Sequence, residues 1–221
     1  MSKIDSMILE MNQLINKVDG RKTKEFRMIA AKYKKTIQSW NLNDIYDICD
    51  ILLRKEKRAE TIIAYQILFD NSKKYDEDSF KVFENFLYTY IKDWWDCDDF
   101  MTHAFMALFK KFPDQIKNIH DWIQSNNFAV RRSAPVVLIR LSQANLIQFD
   151  LIKEVCMKLM NDEHYLVQKG YGWLLKESVK NYKEEVIKFL KENVNSMPRV
   201  AFRYAIEKLS KEEKDDLMKL V

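Results

Sequence analysis

Four positions spaced 37 residues apart, Arg58, Trp95, Arg132 and Lys169, head matching patterns of apolar and polar residues. Five residues past them stand Ile63, Phe100, Val137 and Leu174, and six past stand Ala64, Met101, Leu138 and Leu175, an apolar pair in every copy. Eight past stand Gln66, His103, Arg140 and Glu177, all polar. A buried stripe beside a surface position, recurring at about the period of a two-helix unit, is the mark of stacked hairpins that bury their apolar faces only against neighbours. The chain is therefore expected to be all-α, a HEAT- or armadillo-like repeat solenoid of about thirteen short helices.

Glycine and proline agree. Three of each in 221 residues are too few for an architecture of strands and tight turns. Helical periodicity is broken by polar segments at Asp19-Gly20, Asn41 to Asp44, Asn71 to Asp78, Phe112 to Asp114, Asn126-Asn127, Ala144 to Phe149, Asn161 to Glu163, Asn181-Tyr182 and Asn193 to Pro198. Pairing the segments gives hairpins near 41–72, 77–111, 113–143, 147–180 and 182–209. No low-complexity linker divides them, so residues 1–221 read as one domain: a cap over 1–40, repeats over 41–209 and a last helix over 210–221.

The formal net charge of +4 excludes a dedicated polycation, so a basic surface must come from distribution. Cys49, Cys97 and Cys156 are odd in number and widely spaced, which argues against a disulfide framework or zinc site and fits a reducing cytoplasm. Met1 to Val18 mixes charges into an amphipathic pattern unlike a signal peptide, and no apolar stretch reaches the roughly 20 residues of a membrane span. A cytoplasmic monomer with no cofactor is expected.

Equal phase in stacked hairpins places Trp95, Asp99, Arg132 and Trp173 on one concave face. The blander readings are concrete. A tryptophan in a helical protein is usually core, and Trp94 keeps that reading because adjacent helical residues cannot both face one partner. Asp93, Asp96 and Asp98 read as carboxylates favouring a helix start, whereas Asp99 shares its phase with Trp173. Arg131, Arg132, Lys169, Arg199 and Arg203, near the starts of inner helices, read either as ordinary surface charge or as a track for phosphates. Asp99 and His103 lie one turn apart, but no HExxH or paired cysteines support them, so no metal is expected.

Trp95-x-x-x-Asp99, then Arg131-Arg132-Ser133-Ala134, then Gln168-Lys169-Gly170-Tyr171-Gly172-Trp173-Leu174-Leu175-Lys176 resembles the AlkD-like DNA alkylation repair family of HEAT-like repeat DNA glycosylases, over about residues 41–209. The resemblance implies a hydrolase that cuts the N-glycosidic bond of N3- and N7-alkylated purines in duplex DNA, without extruding the base into a deep pocket. In that scheme Asp99 stabilises positive charge on deoxyribose and orients water, Trp95 and Trp173 contact the sugar and offer π faces, and Arg132 clamps a phosphate. Arg131, Lys169, Arg199 and Arg203 extend the DNA contact. The family's N-terminal aromatic-Leu-Gly turn and Pro-x-Arg-Arg are absent, and Asp19 to Arg27 runs straight into the next helix. The alternative is a catalytically inactive HEAT-like scaffold that binds DNA or protein through a vestigial cleft.

Overall fold

In the computed structural model, residues 2–20 and 22–220 are described, and among them there is no strand. The helices are α1 (Lys3–Ile15), α2 (Thr23–Gln38), α3 (Leu42–Leu53), α4 (Arg58–Asp70), α5 (Ser79–Tyr90), α6 (Trp94–Phe100), α7 (Met106–Lys111), α8 (Ile119–Ile123), α9 (Phe128–Gln143), α10 (Phe149–Lys158), α11 (Tyr165–Asn193), α12 (Arg199–Ala205) and α13 (Lys211–Met218). A π-helical turn, Met101–Phe105, joins α6 to α7. Arg21, inside the run from Asp19 to Arg27, lies outside the described residues.

The polar breaks act as helix punctuation. Asn41 accepts from the Asp44 N–H at 2.8 Å to start α3, and Asn127 accepts from the Ala129 N–H at 2.9 Å to start α9. At Asn181-Tyr182 the chain kinks within α11: Tyr182 has φ −136° and ψ 42°, and its hydroxyl donates to Asn145 Oδ1 at 2.8 Å. Two further breaks carry no such signal in the sequence. Arg54 to Lys57 turns through Glu56 at φ 53°, a left-handed conformation taken without glycine. Ile91 to Asp93 interrupts an aromatic-rich stretch that reads as continuous helix.

The repeated stripe is the core. Ile63, Ala64, Phe100, Met101, Val137, Leu138, Leu174 and Leu175 are all 0% exposed, each large one contributing about 1.5–3 kcal/mol of apolar burial. The polar position of the register departs at one place: Glu177 is buried, bonded by Gln143 and by Lys208 Nζ at 2.5 Å. Burial raises its carboxyl, but those donors outweigh it and hold the group below its usual range.

The chain divides into two compact units, residues 1–91 with 103–112, and residues 92–102 with 113–221. In the first, α2 and α3 pack on α4, and Tyr46, Tyr75, Phe80, Phe83, Phe105 and Phe109 form edge-on and stacked ring pairs. In the second, α9 lies between α6, α8 and α11, and α12 packs on α11. Gly172 makes the last contact close: a Cβ there would stand 2.7 Å from the Ala201 carbonyl oxygen.

Candidate active site

The second unit builds a cavity of about 530 Å³, ordinary for a small-molecule or base-sized site, from α6, α9, α11 and α12. Its first wall is set by how α6 begins. Asp93 caps the helix, accepting from the Trp94 N–H at 2.7 Å, and Asp96 completes the capping box. Asp96 is 4% exposed and accepts from the amides of Lys92, Asp93 and Cys97; burial still lifts its carboxyl to about 6. With the cap fixed, Trp94 and Asp98, one helical turn apart, face the cavity together.

Asp98 is held from behind. Arg132, 5% exposed on α9, donates Nε to Asp98 Oδ1 at 3.0 Å and a terminal nitrogen to Oδ2 at 2.9 Å, a bidentate pair. Its other terminal nitrogen donates to the Leu166 carbonyl. Burial raises the Asp98 carboxyl and Arg132 pulls against it; burial would likewise lower the guanidinium, but Asp98 outweighs that and holds it up. Cys97 Sγ lies 3.2 Å from Ser133 Oγ, fixing α6 on α9, and burial pushes this thiol far up.

The opposite wall comes from α11 and α12. Tyr165, Lys169, Trp173 and Lys176 follow one another at four, four and three residues along α11, a single face. Lys169 lies 5.4 Å from the centre of the Tyr165 ring. Lys176 lies 4.5 Å over Tyr204 of α12 and 2.8 Å from Glu207. The cavity thus offers four aromatic faces, one braced carboxylate and two lysines, a setting for a flat or cationic group.

A model of the DNA alkylation repair enzyme family matches residues 15–209. The chain belongs to that family. The match starts well before residue 41, where the motifs begin to carry the resemblance. No curated protein matches the chain. Among solved structures, the chain is similar to "Predicted DNA alkylation repair enzyme from Enterococcus faecalis", at 19% identity and a TM-score of 0.77 over 94% of this chain and 95% of that one. At that identity the likeness speaks for the family's fold. No helix among the described residues is long and apolar enough to cross a membrane, and no group of three metal-ligating side chains lies together.

The structure brings together Arg132, Lys169 and Trp173, as the family motifs imply, but it sets Trp94 and Asp98 beside them. Trp94, read from the sequence as core, is 49% exposed and lines the cavity. Trp95 and Asp99 are half-buried on the neighbouring face of α6, outside the lining. The physical reason is the π turn at Met101–Phe105. A π turn carries one residue more than the α-helix it interrupts, and this one lies between α6 and α9, so Trp94 stands 38 residues before Arg132 where an even register assumes 37.

Two of the basic residues are engaged within the chain. Arg132 is no free phosphate clamp, since three of its donors serve Asp98 and Leu166. Arg131 grips Asp162 at 2.5 and 3.2 Å and donates to the carbonyls of Ser125 and Asn126, closing the loop before α9. Arg199 and Arg203 are exposed on α12, outside the lining. Tyr165 and Lys176 were readable from their spacing with Trp173; Tyr204 carries no sequence signal.

Proposed function

We propose that this protein is a DNA N-glycosylase that releases N3- and N7-alkylated purines from duplex DNA. The observation that carries the reading is the Asp98 carboxylate, braced by Arg132 at the wall of an open aromatic cavity. An alkylated purine is already cationic and a good leaving group, so catalysis consists mainly of stabilising positive charge that develops on deoxyribose as the bond breaks. Arg132 fixes the carboxylate and favours its charged form against burial, and the exposed part, 19% of the Asp98 side chain, is what a cationic centre meets. The rings of Trp94 and Trp173 add π attraction of about 2 kcal/mol to a desolvated cation.

Phosphate contacts fall to Lys169 and to Arg199 and Arg203. The acidic run beside the cavity opposes DNA less than its count suggests, because Asp96 is folded into the cap and Asp98 is ion-paired. The test is release of 7-methylguanine and 3-methyladenine from methylated duplex DNA by the wild type, Asp98→Asn and Asp99→Asn. The reading requires release by the wild type and its loss in Asp98→Asn. A wild type that releases neither base would make the chain a helical-repeat binding protein.

A further inference from the structure

Of the polar residues that recur in the register, Gln66, His103, Arg140 and Glu177, the fold buries Glu177 alone. It stands four residues beyond Trp173 on α11, one helical turn away, and of the two it is the tryptophan that lines the cavity. Three donors meet the Glu177 carboxylate. They are Gln143 Nε2 at the end of α9, Lys208 Nζ at 2.5 Å from the turn Ile206–Lys208 that follows α12, and the indole N–H of Trp173.

Holding α9 and the turn after α12 against α11 does not require a buried charge. The hydroxyls of Ser142 and Ser178 already meet at 2.8 Å, Asn181 donates to the Ser142 carbonyl at 2.7 Å, and Lys176 pairs with Glu207 at 2.8 Å. A carboxylate only 8% exposed carries a desolvation cost that an apolar side chain of similar size would avoid. What an apolar side chain cannot do is fix the indole. Trp173 is half-buried, so its N–H needs an acceptor, and a bond made in the plane of the ring leaves both π faces unengaged. The torsion between the ring and its stem is broad when nothing holds it, and an in-plane bond narrows it to one setting. An anionic acceptor also polarises the N–H and leaves the π system richer in electrons, which strengthens its pull on a cation.

We propose that Glu177 is a positioning residue for the cavity: it holds the Trp173 indole in one orientation by its N–H, and Gln143 and Lys208 hold Glu177 in turn. That the ring then meets a cationic centre rests on the glycosylase reading given above, whereas the hold on the indole rests on these contacts alone.

The test pairs hydrogen exchange of the indole N–H, read by nitrogen NMR, with the kinetics of base release from methylated duplex DNA. Five tryptophans give five indole signals, and Trp173→Phe assigns the one in question. In the wild type that signal should exchange more slowly than the signal of Trp94, whose side chain is 49% exposed. Glu177→Leu, apolar and of similar volume, should speed the exchange about tenfold, the strength of one hydrogen bond to a charged group. Glu177→Gln keeps an accepting oxygen and should fall between the two. For release, kcat should drop about tenfold in Glu177→Leu with KM held within about twofold, because orientation is lost and binding is kept, and Glu177→Gln should recover part of the loss. In the Trp173→Phe background, which has no indole to hold, Glu177→Leu should add less than about twofold. Exchange unchanged by Glu177→Leu would overturn the proposal, and so would a loss of release just as large in the Trp173→Phe background, the mark of a carboxylate that serves packing alone. Should Glu177→Leu fail to fold, the wild type decides: a Trp173 signal that exchanges as fast as that of Trp94 overturns the hold. A wild type that releases no base removes the glycosylase reading, while the exchange rates still decide whether Glu177 holds the indole.

Discussion

Asp98→Asn keeps the shape of the side chain and removes the charge that the cavity holds ready. Base release should fall by roughly 10²-fold or more while DNA affinity holds, because the lost interaction is made mainly in the transition state. Asp98 also has a buried partner, so the same change should cost about 2 kcal/mol in urea unfolding by leaving Arg132 without its counter-charge. Asp99→Asn, one residue on and outside the lining, should keep release within a few-fold of wild type; equal losses in the two variants would refute the assignment to Asp98. Arg131→Ala should behave as a structural change, costing about 2 kcal/mol by stranding Asp162, whose side chain is 7% exposed, while the salt slope of DNA binding stays put. Three of the cavity's members were legible in the sequence, since Arg132, Lys169 and Trp173 sit in motifs whose local helix is regular. Trp94 and Asp98 were not, because a π turn does not announce itself in residue type.

At the scale of the elements, the start of α6 ties stability to pH. Asp96 is held at about 6 by burial, against about 3.9 in an unfolded chain. Between those values the folded protein binds the proton more tightly than the unfolded one. Stability from this group is therefore greatest below about pH 4 and declines as pH rises through about 6, by on the order of 2–3 kcal/mol. Urea unfolding of wild type and Asp96→Asn between pH 4.5 and 7 checks this. The stability of the wild type relative to Asp96→Asn should fall with rising pH, and a constant difference would refute it. Where α12 meets α11, Gly172→Ala would force a Cβ to within 2.7 Å of a backbone oxygen and 3.0 Å of Tyr204 Cβ. It should lower stability by about 1–3 kcal/mol and displace Tyr204 from the cavity. Gly170→Ala meets only side-chain atoms of Arg132 and Pro135, at 3.4–3.5 Å, so the melting temperature should show it as much the milder change. The helices themselves were legible because their caps are polar residues beside an apolar stripe, as at Asn41 and Asn127. Glu56 escaped notice because a left-handed residue that is not glycine leaves no mark in composition.

For the molecule as a whole, a net charge of +4 would suggest indifferent binding to a polyanion. Distribution decides otherwise. Lysines and arginines gather along α2, around the start of α4 and in the wall of the α11 cavity, while much of the acid is consumed in caps and ion pairs. Lysine and arginine contacts of this kind suit phosphates, which position a duplex without reading its sequence. Two unmodified duplexes of equal length and unrelated sequence should therefore bind with dissociation constants within about twofold of each other. If about four phosphates are neutralised, raising salt from 50 to 200 mM should weaken both by about 10²-fold, each released counterion contributing to a slope near −0.9 per contact. Anisotropy titrations at several salt concentrations supply the measurement. A flat salt response would show that these basic residues do not carry the affinity, and a preference of tenfold or more for one sequence would mean that base edges are read after all.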